Sequence, residues 1–142
     1  MSLSQTEARR LMDAAEAAYL RAYAPYSQFR VGAAVLTMPN EHGEAHTFTG
    51  CNVENAAYSL ALCAERVAIG QAVAHGHQSF QAIAVVAEPT RPCFPCGACR
   101  QFLSEFGPDL EIIILEADGS LSHHSIGELL PYAFNGDALP PR

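Results

Sequence analysis

The sequence predicts a single α/β domain with three layers, α/β/α, around a mixed sheet of about five strands. Three observations support this fold. The chain has 142 residues, near the commonest size of a single domain. Hydrophobic residues make up 49% and charged residues 16%, with no biased tract, as in packed globular proteins. Segments with helical periodicity also alternate with short apolar runs, so we expect one domain over residues 1–142.

The first third of the chain predicts a helix followed by a β-hairpin. Ser4 begins a capping box, and apolar residues recur at helical spacing as far as Tyr19. Pro25 interrupts this pattern. Residues 29–38 and 46–53 are strand-like and are separated by a turn that contains proline, asparagine and glycine, which favours a hairpin.

The rest of the chain predicts alternating helices and strands. The predicted elements are a helix at 62–74, a buried strand at 83–86, a helix at 96–106, a buried strand at 112–115, a turn at 118–119, a further strand and a short helix after Ser125. Gly76 lies where a C-cap glycine belongs. This order indicates a mixed sheet that is covered on both faces.

Charge and hydropathy exclude two classes of partner. The chain carries 8 basic and 15 acidic residues, a formal charge of −7, and has no basic run that could follow a phosphate backbone. We therefore expect no nucleic-acid polymer as a partner. Acidic and basic residues occupy the N-terminus, and no apolar run reaches the roughly 18 residues needed to span a bilayer. We expect a soluble, cytoplasmic protein.

The cysteines predict a metal site. There are five, so they cannot all pair within one chain, and three of them lie between Cys93 and Cys99. Cys96 and Cys99 are three residues apart, so in the first helical turn both thiols face one direction, toward the positive end of the helix dipole. Cys63, at the start of another predicted helix, can supply a third sulfur. Three thiolates with one open position are typical of catalytic zinc.

Two charged residues shortly after Cys63 extend the hypothesis of a catalytic zinc site. Glu65 lies close to Cys63 in sequence, where its carboxylate can reach whatever fills the open position. Zinc lowers the pKa of bound water from about 15.7 to about 7, so a neighbouring carboxylate can take the proton and pass it on. A Zn²⁺ ion with three thiolate ligands forms a cluster with a net charge of about −1. Arg66, which is not a ligand, is the candidate hydrogen-bond donor that offsets this charge.

Each of these residues also has a structural interpretation. A Cys-x-x-Cys pair is common in structural zinc sites and redox motifs, and Cys63 alone would more often be a buried thiol. Cys93 allows a closed four-sulfur site or an exchange with Cys99, although Pro95 favours a helix that starts at Cys96. We expect Cys51 to be a small buried residue. The six histidines match no metal or base spacing, and we expect all of them at the surface: His42, His46, His75, His77, His123 and His124.

The cysteine and glutamate motifs considered together indicate a function more specifically than any of these residues considered alone. Cys63-Ala-Glu65 is followed about 30 residues later by Pro95-Cys96-Gly-Ala-Cys99, the zinc deaminase signature with cysteine in place of the usual histidine. From about Pro25 to Phe134 the sequence resembles the small, homotetrameric cytidine deaminase family. The segments that carry the resemblance are 25–34, 50–58, 63–66, 95–101 and 129–134.

The resemblance implies a cytidine deaminase-like fold and a role in pyrimidine salvage. It implies hydrolytic deamination of cytidine and 2′-deoxycytidine to the uridine products, with ammonia released and one Zn²⁺ bound per subunit. It also implies a small nucleoside as substrate and a homotetramer whose sites are shared between subunits. Two alternatives stay open: a deaminase of another aminated pyrimidine, free or within a polymer, and a non-enzymatic structural zinc protein.

The resemblance further implies roles for particular residues. Glu65 would be the catalytic proton carrier, and Cys63, Cys96 and Cys99 the metal ligands. The implied substrate contacts are Asn52 and Glu54 on the ribose hydroxyls, Phe29 on the pyrimidine ring, the Ala64 N–H on the base carbonyl, Tyr58 in the site wall or an interface, and Phe134 in a neighbouring subunit's site. Phe29 or Phe134 considered alone would more often be a core residue.

Overall fold

The structure is a computed structural model that describes residues 2–88 and 91–141. The helices and strands, in chain order, are α1 (Gln5–Tyr19), β1 (Arg30–Thr37), β2 (Thr47–Cys51), α2 (Ala64–Ala74), β3 (Phe80–Glu88), α3 (Gly97–Ser104), β4 (Glu111–Leu115), β5 (Leu121–Ser125) and α4 (Ile126–Leu129). Short 3₁₀ turns occur at Tyr58–Leu60 and Gly136–Ala138.

The five strands form one mixed sheet in the order β2-β1-β3-β4-β5. Strands β3 and β4 are parallel, and the other three pairs are antiparallel. The predicted hairpin is β1 with β2, where Gly32 pairs with Cys51 and Leu36 with Thr47. The parallel pair requires a crossover, and α3 supplies it. The predicted mixed, five-stranded sheet is confirmed.

Helices cover both faces of the sheet, as predicted. Side chains alternate between the faces of a strand, so Ile113 of β4 packs in one core with Met12 of α1. Its neighbour Ile112 packs in the other core with Ile69 of α2 and Leu103 of α3. These residues are fully buried, and the two cores define the three layers.

Two glycines allow the helices to lie directly on the hairpin. A Cβ atom at Gly32 would lie 2.1 Å from the carbonyl oxygen of Ala15, so α1 contacts β1 backbone to backbone. A Cβ atom at Gly50 would lie 2.5 Å from both Ala64 O and Ala68 N. The first turns of α2 are therefore held against β2, which fixes the position of the helix N-terminus that carries Cys63.

The sequence predicted which helices and strands form more accurately than it predicted their first and last residues. The capping box at Ser4 is formed in both directions, and Gly76 follows α2 with a φ of 93°. The strand predicted at 83–86 extends over Phe80–Glu88, and the helix predicted to end at 106 ends at Ser104. Pairing with strands on both sides lengthens β3 beyond its most apolar residues. Within the described residues, no helix has the length and apolar character to cross a membrane.

Candidate metal centre and active site

The three predicted thiol ligands come together where two helices begin. Cys63 is the N-cap of α2 and Cys96 the N-cap of α3, while Cys99 lies in the first turn of α3. Their Sγ atoms lie within 4.8 Å of one another, with Cys63 and Cys96 4.0 Å apart. Tetrahedral zinc with Zn–S bonds of about 2.3 Å needs sulfurs about 3.8 Å apart. The three thiols therefore fit a zinc ion.

The electrostatics of this cluster favour thiolates. The Arg66 guanidinium lies 3.5 Å from Cys63 Sγ, as its predicted donor role requires. A hydrogen bond from the Cys99 thiol, together with Arg66, lowers the pKa of Cys63 to about 5. The same shared hydrogen and its own burial raise the pKa of Cys99. Because metal binding requires thiolates, a bound ion would replace the proton on Cys99.

Glu65 lies against this cluster in a nearly dry environment. Its residue surface is only 4% exposed, and its Oε2 lies 3.6 Å from Cys99 Sγ. Burial is the main cause that raises the pKa of Glu65, and the Cys63 thiolate adds to it. A carboxyl with a raised pKa takes up and returns a proton closer to neutral pH, which suits a proton carrier.

A cavity of about 360 Å³ opens beside the thiols. Seven residues singled out from the sequence line it: Phe29, Asn52, Glu54, Cys63, Ala64, Glu65 and Cys96. Its wall is mostly apolar with a few polar groups at one side, the usual composition of a small-molecule site. The structure thus brings the metal centre and most of the predicted substrate contacts to one space.

Asn52 forms two hydrogen bonds at the start of β1, which Phe29 precedes. Its Nδ2 donates to the Phe29 carbonyl at 2.7 Å, and its Oδ1 accepts from the Val31 N–H at 2.8 Å. One amide hydrogen and one oxygen lone pair stay free for a ligand. The sequence did not reveal this bridging contact, because it depends on the pairing of β1 with β2.

Glu54 is bound by the loop before β1. Its Oε1 accepts from the N–H groups of Tyr26 and Ser27 at 2.9 and 3.0 Å, and its Oε2 accepts from the Ser27 hydroxyl. The Ser27 hydrogen bonds are the main cause that lowers the pKa of Glu54. The carboxylate therefore stays ionised and able to accept. The sequence did not indicate that Tyr26 and Ser27 form hydrogen bonds to Glu54, although both lie in the segment 25–34 that carries the resemblance.

Two predicted substrate contacts lie outside this cavity. Tyr58 is 76% exposed and lines a neighbouring cavity of about 330 Å³ that also contains Glu54. Phe134 is 61% exposed in the C-terminal segment, where its carbonyl accepts from Gln101 Nε2 at 2.8 Å. Within one chain, neither residue lines the cavity beside the thiols.

Cys93 lines the cavity but is not part of the three-thiol group, so the thiols that come together are the three expected from the sequence. Two other expectations, about a cysteine and the histidines, need correction. Cys51, expected to be buried, is partly exposed because β2 is an edge strand. Not all histidines are surface residues: His77, His123 and His124 are only partly exposed, because neighbouring side chains cover their rings. His123 Nδ1 lies 3.2 Å from Glu111 Oε2.

Arg100 is a further residue whose role the sequence did not indicate. Its Nε donates to the Pro95 carbonyl at 2.8 Å and its Nη1 to the Leu129 carbonyl at 2.9 Å. The side chain thus ties the loop before α3 to the C-terminal segment. The only signal was its place after Cys99 in the segment 95–101.

The fold and site define a zinc-dependent hydrolytic enzyme on an α/β/α scaffold. The sequence profile of the family described as "Cytidine and deoxycytidylate deaminase zinc-binding region" matches residues 5–115, and the chain belongs to that family. It is therefore a zinc-binding protein, with Cys63, Cys96 and Cys99 as the group that could hold the ion.

Individual relatives agree with this assignment. The chain is 43% identical over 138 residues to the probable cytidine deaminase of Dictyostelium discoideum, covering 96% of this chain and 90% of the relative. It is 44% identical over 120 residues to the cytidine deaminase of Sporosarcina psychrophila, covering 84% and 85%. The crystal structure of cytidine deaminase from Burkholderia pseudomallei superposes with a TM-score of 0.79 at 50% identity, covering 89% and 98%.

Proposed function

We propose that this chain catalyses the zinc-dependent hydrolytic deamination of cytidine and 2′-deoxycytidine to uridine and 2′-deoxyuridine. The observation that carries the proposal is one cavity lined by two thiols of the three-thiol centre, the buried Glu65 carboxyl and the polar pair Asn52 and Glu54. The names of the relatives support the same reaction. All 142 residues would form one catalytic domain.

The chemistry divides between the ion and Glu65. Zinc held by the three thiolates would supply a Lewis acid, which lowers the pKa of a bound water from about 15.7 to about 7. Glu65 would accept one proton of the attacking water and transfer it to ring N3. It would then take the second proton from the oxygen now attached to C4 and give it to the amino group, so that the C–N bond breaks, ammonia leaves and C4 keeps a carbonyl. Its position beside Cys99 and its raised pKa suit both transfers.

The rest of the cavity would hold the nucleoside. The N–H of Ala64 is the first of α2, where backbone donors have no partner within the helix, and it would donate to the base carbonyl. Phe29 would pack on the pyrimidine ring. Glu54, ionised and fixed by Ser27, would accept from a ribose hydroxyl beside the Asn52 amide. Arg66 would moderate the charge of the ligand thiolates.

We further propose a homotetramer in which subunits complete each other's sites. Large apolar side chains are exposed near the cavity: Tyr58 (76%), Leu60 (63%), Leu62 (47%) and Phe134 (61%). Exposed apolar surface of this kind marks interaction sites. Tyr58 and Phe134 would then contact substrate or wall in a neighbouring subunit, which explains why neither lines the cavity beside the thiols of its own chain.

The setting of the reaction follows from the same features. A thiolate ligand set is best preserved in a reducing compartment, which supports a cytoplasmic location and a role in pyrimidine salvage. The formal charge of −7 opposes binding to a nucleic-acid polymer. The substrate would thus be a free nucleoside.

An assay panel tests the proposal. Zinc-loaded enzyme would be given cytidine, 2′-deoxycytidine, cytosine, cytidine monophosphate and single-stranded DNA, with ammonia release as the readout. We expect turnover of the two nucleosides and at least about 100-fold lower kcat/KM for cytosine, which lacks the ribose. A preference for the polymer would overturn the substrate assignment, and no turnover of any compound would favour a structural zinc protein.

A further inference from the structure

A second group of metal-binding side chains lies at the opposite end of α2 from the thiols. His75 and His77 follow the helix, and His46 precedes β2. Helix α2 has 11 residues, so this end lies about 16 Å from the N-cap Cys63. The rings of His46 and His77 have centroids 5.3 Å apart, and Phe48 lies 5.3 Å from His77 and 5.1 Å from His75. None of these residues belongs to the catalytic cavity.

The backbone holds His77 in place. Its N–H donates to the Ala72 carbonyl at 3.0 Å, and the Gly76 N–H donates to the Val73 carbonyl at 2.9 Å. Gly76 has a φ of 93°, so these contacts form a Schellman motif at the end of α2. His77 therefore follows the helix in a defined direction and is not part of a free loop.

The backbone of His46 is fixed from the other side. Its N–H donates to Thr37 Oγ1 at 2.9 Å, and its carbonyl accepts from the Thr37 N–H at 2.9 Å. Both contacts extend the hairpin by one residue beyond β2. The two imidazoles thus extend from two anchored segments, which lowers the entropy cost of holding a shared ligand.

The separation of the two rings suits a shared ion. Two imidazoles that bind one tetrahedral ion at about 2.0–2.1 Å have ring centroids about 5 Å apart. The observed centroids are 5.3 Å apart with the ring planes inclined by 48°. His46 is exposed and His77 partly exposed, so the open side of the pair is accessible to water.

The third histidine does not complete the set. Its Nδ1 donates to the Gln71 carbonyl at 2.8 Å, which leaves only Nε2 as a candidate ligand atom. Among residues 2–88 and 91–141, only the three cysteines form a group of three or more candidate ligands within 4.8 Å. The His46 and His77 pair would therefore supply two ligands, with water in the other positions.

We propose that His46 and His77 form a second, solvent-accessible site for one divalent transition-metal ion, of the class Ni²⁺, Cu²⁺ or Zn²⁺. Neutral imidazole suits these ions, and two ligands give weaker binding than three thiolates, so the site would exchange its ion readily. An ion bound there ties the end of α2 to the start of β2. Because only the folded chain brings the two rings together, binding would stabilise it.

The test is isothermal titration calorimetry of the zinc-loaded enzyme with NiCl₂ at pH 7.5. The zinc content of the protein is measured before and after the titration. We expect one nickel ion per chain and no loss of zinc. His46→Ala and His77→Phe should each weaken nickel binding at least about tenfold. The phenylalanine keeps a ring against Phe48 but offers no nitrogen. His42→Ala removes an exposed histidine from the same hairpin turn and should bind nickel as the unmodified enzyme does.

Three outcomes would overturn the site: no nickel binding at millimolar concentration, unchanged binding in both variants, or nickel uptake matched by zinc release. Circular dichroism would establish that each variant is folded, and His77→Phe decides the question if His46→Ala does not fold. Nickel should also raise the melting temperature of the unmodified enzyme, with no rise for His77→Phe. Cytidine turnover measured alongside keeps this test separate from the proposed catalytic function.

Discussion

The two ends of α2 carry metal-binding side chains in opposite environments. At the N-terminal end, the Cys63 thiol meets the positive end of the helix dipole, and Glu65 is nearly buried beside it. At the C-terminal end, His46 and His75 are exposed; the ring of His46 contacts His77, and the ring of His75 contacts Phe48. The residue types alone do not separate these ends, since both thiol and imidazole bind zinc.

The two ends of α2 differ in the surroundings of their thiol and imidazole side chains. At the N-terminal end, the hydrogen bond from Cys99 and the Arg66 guanidinium lower the pKa of Cys63 to about 5, against the opposing effect of its partial burial. Charges interact more strongly where water is excluded. At the other end water screens the imidazoles, so that end suits reversible binding and the N-terminal end suits catalysis.

The largest effect should come from removing one ligand at the catalytic end. Cys99→Ala should lose zinc and all measurable turnover, because the two remaining thiolates bind the ion far more weakly than three. Cys93→Ala, which removes a thiol from the same cavity, should keep one zinc per chain. Metal analysis of both purified variants checks this. Equal loss of zinc from the two would indicate a closed four-sulfur site and contradict the catalytic interpretation.

Glu65→Gln should lower kcat by roughly 10²–10⁴-fold while the zinc content stays unchanged, because the amide cannot carry a proton. Steady-state kinetics with cytidine and metal analysis provide the two readouts. Glu105→Gln, an exposed position after α3, is the matched control and should behave like the unmodified enzyme. Full activity in Glu65→Gln would remove this carboxyl from the mechanism.

Arg66→Gln should lower zinc affinity by about 10–100-fold, since the guanidinium that lies 3.5 Å from Cys63 Sγ is lost. Competition with a chelator of known affinity measures the change. Arg66→Lys retains the charge and should recover part of the loss. An affinity unchanged in Arg66→Gln would show that the helix dipoles alone stabilise the thiolates.

Ser27→Ala should act on substrate binding through Glu54. The hydrogen bond from the Ser27 hydroxyl is the largest cause that lowers the pKa of this carboxyl. Its loss raises that pKa while the backbone N–H of residue 27 still donates, and protonation on acidification then begins at a higher pH. We expect KM for cytidine to rise about 2- to 10-fold at the acidic end of the profile, with kcat little changed. Ser79→Ala, at an exposed serine, is the control. A KM profile identical to that of the unmodified enzyme would separate Ser27 from substrate binding.

The smallest effect should come from the exposed end of α2. His75→Ala removes the ring that contacts Phe48 at 5.1 Å and should lower the free energy of unfolding by about 0.5–1 kcal/mol. Urea denaturation measures it, and kcat/KM for cytidine should stay unchanged. A large loss of activity in this variant would mean that the two ends of α2 are coupled, which would end the distinction between them.

Local signals account for the part of this fold that could be predicted. The capping box at Ser4, the glycine after α2 and the apolar run of β4 each depend on neighbours within one or two turns, and all three are as expected. The ends of β3 and α3 differ from prediction, because strand pairing and the packing of distant residues set them.

The sequence by itself determined the chemistry that one helical turn can hold: Cys96 with Cys99, and Glu65 beside Cys63. A period of 3.6 residues sets these distances whatever the rest of the chain does. Only the tertiary structure decided which turns meet. The packing of α2 on Gly50 and the crossover through α3 bring Cys63 to Cys96, and the hairpin register brings Asn52 to Phe29. The packing of α2 on the hairpin also brings His77 to His46. Such contacts depend on how the strands of the sheet pair and how helices pack on it, so the spacing within a helix or strand does not determine them. The meeting of Cys63 with Cys96 is predicted only through the deaminase signature.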